Sequence, residues 1–405
     1  MHHGMLTVYK EAGYTSSDAV ARLRGILRMR KIGHTGTLDP DAEGVLPMCL
    51  GNATRICELI ADREKEYLAV MRLGILTDTQ DMSGEVLHRV PDRDIPQILL
   101  DPCRRGIIDD ISQLPETIDG TAEQEEKPVS GTPLSVEKQE EKPVSGTPLA
   151  VEEQEEKSVS GIPLSEEEQE RIADLIRRTA ADFIGQIDQI PPMYSAIKVN
   201  GKRLYDMARK GITVERKPRR ITIHSLDVEK IELPFVTMRV RCSKGTYIRT
   251  LCEDMGKALG TGAAMQSLLR TRVGQFTLQE AKTLDELERL AKTEPDKLLP
   301  LIRPVDSFFA DLPGAACTEE ALRLLKNGNV LTADQFRFLA DREDPQKVYR
   351  SGKAFDLLSL PGINPGETVI RMYDAEGYFY GLYRTRPVLK GGKRYSAYKM
   401  FLPEK

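Results

Sequence analysis

The sequence predicts an α+β protein, and three observations carry that prediction. Segments with period-two alternation read as strands, as in 65–76, where Tyr67, Ala69, Met71 and Leu73 alternate with Leu68, Val70 and Arg72. Other segments carry helix-spaced apolar residues behind capping signals. The two kinds do not alternate in the regular order that a parallel βαβ sheet requires, and the tail ends in a hairpin signal.

Taken in order, Ser17-Asp18 precedes a helix over 19–29, with Val20, Leu23, Ile26 and Leu27 on one side. The strand over 65–76 follows. Ser165 with Glu168 forms a capping box that opens a helix through Phe183. Strands are expected over 221–226 and 235–242, then a helix over 250–259 with Gly260 as its C-cap. Residues past about 300 form a separate block: a helix near 319–326, a polar stretch over 341–352, and strands 369–373 and 378–383 joined at Asp374-Ala375-Glu376-Gly377. The division expected is therefore a domain over 1–300 and a smaller one over 301–405.

Composition narrows the class. The 405 residues carry 58 Lys+Arg against 62 Asp+Glu, a net charge of −4, and that average argues against a nucleic-acid partner. No apolar run approaches the ~20 residues of a membrane span, and the start, Met1-His2-His3-Gly4-Met5-Leu6, lacks a secretory h-region. The six Cys contain no C-x-x-C pair, so neither a zinc site nor a disulfide frame is indicated, and reduced thiols in the cytoplasm are expected.

The average conceals two kinds of chain. Residues 107–170 hold 18 acids and 4 Lys, a net −14, which leaves the remainder at +10. This stretch repeats every 15 residues, from Glu125 to Leu134, Glu140 to Leu149 and Glu155 to Leu164. Each copy has only Val and Leu or Ile to bury, too little to offset the entropy of ordering, so an acidic, disordered insertion over 107–164 is expected. Removing 120–164 is expected to leave activity near normal.

Three segments of the basic remainder hold unusual chemistry. The first is Lys31-Ile32-Gly33-His34-Thr35-Gly36-Thr37-Leu38-Asp39-Pro40-Asp41-Ala42-Glu43-Gly44. Its glycines permit a tight backbone and close approach of a ligand. On spacing alone, Asp39 reads as a turn residue and His34 as an ordinary polar side chain. In the second, Ser243-Lys244-Gly245-Thr246-Tyr247-Ile248-Arg249-Thr250, a strand bends into a helix, and Arg249 there is either a surface cation or a partner for a carboxylate or phosphate. The third, from Pro191 to Arg220, interleaves Tyr194 and Tyr205 with Lys198, Lys202, Arg203, Arg209 and Lys210, a composition suited to phosphates and stacked bases as well as to a solvated face. No nucleotide-cofactor or metal motif is present, so no cofactor and no metal are expected.

Together these segments resemble one family. Gly33-His34-Thr35-Gly36-Thr37-Leu38-Asp39-Pro40, Lys65 and Tyr67 with Arg72-Leu73-Gly74 and Thr77-Asp78-Thr79, the run from Pro191 to Tyr205, and Ser243 to Leu251 occur in the order found in bacterial tRNA pseudouridine-55 synthases, the TruB family. Gly13-x-Thr15-Ser16 and Leu269-Arg270-Thr271-Arg272-Val273-Gly274-x-Phe276 match as well. The resemblance implies a mixed, largely antiparallel sheet of the pseudouridine-synthase type with flanking helices, and a small β-rich C-terminal domain of PUA-like kind. It implies isomerisation of a uridine in the T-loop of tRNA, with Asp39, Tyr67 and Arg249 catalytic. His34, Tyr247, Lys10, Lys198, Lys202 and Arg203 are implied to bind substrate. Arg384, Arg386, Lys390, Lys393 and Arg394 of the tail are candidates for the acceptor stem. A monomer acting on the tRNA T-arm, without protein partner or membrane, is implied. The competing reading is a tRNA-folding factor in which Asp39 is only structural.

Overall fold

The computed structural model describes residues 3–101, 164–195, 197–199, 201–212, 214–339, 363, 367–386 and 394–402. The 15-residue repeat and the polar stretch 341–352 lie outside the described residues, as do Lys390 and Lys393.

The fold is mixed α and β. Its first strands are β1 (Gly4–Lys10), β2 (Ile32–His34), β3 (Glu43–Leu50) and β4 (Lys65–Leu73), followed by the short pair β5 (Ile75–Thr77) and β6 (Val86–Arg89). After the insertion come β7 (Gly185–Gln189), the ribbon β8 (Lys198–Val199) with β9 (Lys202–Arg203), then β10 (Arg219–Glu232), β11 (Phe235–Cys242), β12 (Ala263–Val273) and β13 (Phe276–Thr277). Helices α1 (Ser16–Leu27), α2 (Cys57–Ala61), α3 (Ile95–Leu100), α4 (Glu166–Asp182), α5 (Leu204–Ala208), α6 (Ile248–Leu259) and α7 (Leu284–Thr293) intersperse them.

The main sheet runs β1-β3-β12-β4-β11-β10-β7, with β2 on β3 and β13 on β12. It is antiparallel except where β3 meets β12, and that parallel contact spans only Leu269↔Glu43 and Arg270↔Gly44. The rest of β12 stays paired with β4. The two strands therefore diverge near the middle of the sheet, and the segment between β2 and β3 lies at that divergence. Gly44 makes the junction possible: its φ is +106°, and a Cβ there would lie 2.3 Å from the Arg270 carbonyl oxygen. The close approach expected of a ligand at this glycine is made by the protein's own backbone.

Alternation places Lys65, Tyr67, Ala69, Met71 and Leu73 of β4 on the buried face. There they join α4 and α6 through Ile172, Ile176, Leu251 and Met255. The strand ends at Leu73, short of the expected 76, because Gly74 adopts φ +79° and turns the chain into β5. Helix α1 is capped by Thr15 with Asp18, two residues before the expected cap at Ser17. The Ser165–Glu168 capping box and the Gly260 C-cap form at the expected residues.

The C-terminal block contains α8 (Pro295–Leu298), α9 (Leu322–Lys326) and a six-stranded sheet. Its strands are β14 (Gly314–Cys317), β15 (Leu331–Thr332), β16 (Phe336–Phe338), β17 (Val369–Tyr373), β18 (Phe379–Arg386) and β19 (Arg394–Met400). Val369, Leu382 and Phe401 pack in one cluster with Met5, Val45 and Phe276 of the main sheet and with Ile56 just after β3. The two sheets thus share apolar core.

Candidate active site

The segment from Thr35 to Ala42 has no regular hydrogen-bonded partner strand, yet neighbouring elements hold it along its length. Ser16 Oγ accepts from Leu38 N (2.9 Å) and lies 3.2 Å from Leu38 O, to which it also donates. Gly13 N donates to Pro40 O (3.0 Å), so the segment that carries Gly13 and Ser16 holds the loop at two points. Lys10, expected to bind substrate, is instead fully buried. Its Nζ donates to the carbonyls of Glu11 (3.0 Å), Tyr14 (2.6 Å) and Pro40 (2.8 Å), so its three protons are committed to the protein. Lys10 thus holds the loop that carries Asp39 through Pro40 O.

Arg270 of β12 holds the loop from the other side. It is 1% exposed, and its guanidinium donates to Val45 O (2.7 Å), Thr37 O (3.3 Å) and Gly36 O (3.3 Å). It also bonds the Tyr67 hydroxyl. These contacts fix the backbone on both sides of Asp39 before any ligand arrives.

Asp39 then meets Arg249. The second residue of α6, Arg249 is 5% exposed, and its Nε lies 3.1 Å from Asp39 Oδ2. Its Nη1 donates to Asp81 Oδ2 (3.2 Å) and Thr79 O (3.0 Å), and its Nη2 donates to Tyr194 O (3.0 Å). One guanidinium thus serves two carboxylates and two carbonyls, which leaves it little freedom to turn. Burial in the cleft raises the Asp39 carboxyl above its ordinary range, against the opposing pull of Arg249 and with the Asp81 charge adding to the rise. The arginine therefore moderates the shift without reversing it.

The surrounding cavity, of about 690 Å³, is lined by His34, Asp39, Lys65, Tyr67, Tyr205, Tyr247, Arg249 and Arg270, among others. A second arm of the cleft shares Asp39, Tyr194 and Arg249 but carries Asp41, Asp78, Asp81 and Glu85. The Asp39–Arg249 pair stands where an aromatic, basic arm meets an acidic one. Burial pushes the Tyr67 hydroxyl up to about 12, raises that of Tyr247 and lowers the His34 imidazole. All three are thereby favoured in their neutral forms, suited to stacking against an uncharged ring.

The structure thus brings Asp39, Tyr67, Arg249, His34 and Tyr247 to one cavity, although they come from β4, α6, the Tyr247 cap of α6, β2 and the loop after it. Lys198, Lys202 and Arg203 pair as the β8–β9 ribbon, and their side chains lie outside the described residues. Sequence reasoning gave no role to Asp81, Arg270 or Gln189. The first two sit within or beside runs it singled out. Gln189 carries no signal, being one polar residue at the end of a strand.

The chain matches the model of the TruB family pseudouridylate synthase N-terminal domain over residues 24–118 and 137–248. The tRNA pseudouridylate synthase B C-terminal domain matches over 249–310. The tRNA pseudouridine synthase B of Lachnoclostridium phytofermentans is 37% identical over 389 residues, 94% of this chain and 94% of its own. That of Clostridium kluyveri is 33% identical over 352 residues, covering 87% of this chain and 93% of its own. Among solved structures, an H/ACA ribonucleoprotein bound to a substrate RNA containing 2′-deoxyuridine contains a similar fold, with TM-score 0.54 at 21% identity, over 99% of this chain and 86% of that one. Matches of this extent, falling on the segments that build the cleft, place the chain in the TruB family of pseudouridylate synthases.

Proposed function

We propose that this enzyme converts one uridine of the tRNA T-loop, position 55, to pseudouridine, with Asp39 as the essential carboxylate. The observation that carries the reading is the Asp39–Arg249 ion pair at the floor of a cavity walled by Tyr67 and Tyr247. A uridine inside a folded loop must leave its stack before a carboxylate can reach it, at a cost of a few kcal/mol. The neutral tyrosines of the cavity wall, buried Tyr67 and half-buried Tyr247, offset part of that cost by stacking, and His34 props the loop that the base has left.

An oxygen of Asp39 forms a transient bond to the substrate, at the ribose anomeric carbon or the uracil ring, and the glycosidic C–N bond breaks. The uracil turns within the cavity, C5 bonds to the anomeric carbon, and the C5 proton departs to a base. Tyr67, which lines the same cavity, assists that removal. Arg249 favours the ionised carboxylate that the first step needs, and Asp81 fixes Arg249 in place. No step calls for a metal or cofactor, and a single chain is sufficient for the reaction. A sedimentation profile showing a monomer, alone and at one chain per tRNA, is expected.

The test uses a T-arm stem-loop carrying tritium at uridine C5. The enzyme should release tritium to water from the target uridine, and Asp39→Asn should release none while still binding the RNA. Turnover by Asp39→Asn, or release from some other uridine alone, would overturn the assignment.

A further inference from the structure

Gln189 is the last residue of β7, an edge strand of the main sheet, and only 2% of its surface is exposed. Both ends of its side-chain amide meet the backbone of one residue. Tyr247 N donates to Gln189 Oε1 (2.8 Å), and Gln189 Nε2 donates to Tyr247 O (3.0 Å). The pattern copies the two-bond exchange between paired strand residues, with a side chain in place of a strand.

Tyr247 needs such a partner. It is the N-cap of α6, in extended conformation (φ −101°, ψ 109°), with no side-chain cap bond of its own. Its carbonyl accepts the first helical bond, from Leu251 N (3.1 Å), but its N–H precedes the helix and gains nothing from it. Five residues after Gln189, the Tyr194 carbonyl accepts from Arg249 Nη2. Segment 189–194 therefore grips the start of α6 at two points, one at the cavity wall and one at the arginine that meets Asp39.

We infer that Gln189 is a positioning residue for the reaction, setting the backbone of Tyr247, and through it the wall against which the target base lies. The inference rests on the isomerase reading of the site. It acts on the geometry of the bound base more than on RNA affinity, because Gln189 itself is buried and the base is one small part of the RNA footprint.

The experiment compares Gln189→Leu, which removes both bonds, and Gln189→Glu, which keeps the acceptor for the Tyr247 N–H. Gln186→Leu, an exposed site on the same strand, serves as control. For Gln189→Leu, kcat should fall about 10- to 100-fold while the Kd for the T-arm stem-loop stays within about threefold. Its Tyr247 amide should exchange with solvent at least about tenfold faster. Gln189→Glu should lie between it and the wild type, and Gln186→Leu should match the wild type. Unchanged exchange at Tyr247, or a kcat within twofold of wild type, would overturn the inference. So would equal losses in kcat and affinity across both Gln189 variants. A wild-type protein with a protected Tyr247 amide but no turnover would instead sink the isomerase reading.

Discussion

The two sheets of this protein bury polar groups of different kinds. Among the described residues, the buried lysines and arginines are Lys10, Lys65, Arg249 and Arg270, all in the main sheet or the helix packed on it. The C-terminal sheet buries tyrosines, with Tyr380, Tyr383 and Tyr395 packed among Phe336, Ile370 and Met372, and Tyr373 against Phe379. A buried charge lowers stability unless carbonyls or carboxylates surround it. The main sheet meets that condition by aiming backbone carbonyls at each cation, and what it gains is a loop held rigid around Asp39. The C-terminal sheet buries no lysine or arginine among the described residues; its buried polar groups are tyrosine hydroxyls, Ser396 and the turn carboxylate Asp374, which accepts from Glu376 N and Tyr378 N.

Asp39→Asn should show the largest effect. Turnover should fall by at least about a thousandfold, with stem-loop affinity within about threefold. Its effect on stability has the opposite sign. Folding raises the Asp39 pKa, so the ionised form lowers stability at neutral pH, and the Asn variant should melt no lower than the wild type. Loss of both activity and melting temperature would refute the view of Asp39 as a residue kept at the expense of stability.

Arg249→Ala removes the cation that Asp39 and Asp81 share, and turnover should fall about 100-fold or more. Arg249→Lys should recover little, because a point charge cannot serve two carboxylates and two carbonyls through one fixed fork. Full rescue by lysine in single-turnover assays would reduce the fork to a simple charge.

Arg270→Met should lower stability by about 2–3 kcal/mol, because it strips a charged donor from the buried Val45 carbonyl and the part-buried Thr37 and Gly36 carbonyls, and should lower turnover through the loosened loop. Denaturant titration and stem-loop kinetics on one preparation would show whether the losses travel together.

Lys65 sharpens the comparison through pH. Burial lowers its pKa from 10.5 to about 8, so between these values the unfolded chain holds a proton that the folded chain has released. Its contribution to stability therefore rises with pH across that window, and Lys65→Met should remove that rise from a melting series.

The smallest effect is expected in the other sheet. The Tyr383 hydroxyl is buried without a hydrogen-bond partner among the described residues, so Tyr383→Phe should be neutral or slightly stabilising and leave turnover unchanged. A marked loss of either would show that the C-terminal sheet depends on buried polar groups as the main sheet does.

Much of this was legible in the residues, for reasons of range. Strand β4, the α4 capping box, the Gly260 cap and the hairpin at Asp374 follow from periodicity and local backbone chemistry, which act over a few residues. The candidate residues Asp39, Tyr67, Tyr247 and Arg249 were legible only as parts of ordered runs resembling one family. Spacing alone favoured a turn for Asp39 and allowed a solvated surface position for Arg249. Lys10 shows the limit: a lysine near an RNA site suggests phosphate, and only the fold shows three carbonyls around it.

Local patterning was enough for strand β4, the β17–β18 hairpin and helices α1, α4 and α6, for the separation of an acidic repeat from a basic body, and for the family, because each rests on runs of neighbouring residues; β1, β3 and β12, the strands around the Asp39 loop, carried no such signal. Which distant groups share a charge follows only from the packed fold. Asp81 and Asp39 lie on one guanidinium, Arg270 reaches 234 residues back to Gly36, and Gln189 reaches 58 residues forward to Tyr247. Those pairings depend on where β12 parts from β3 and on how α6 enters the sheet, and contacts across such separations leave no periodicity to read.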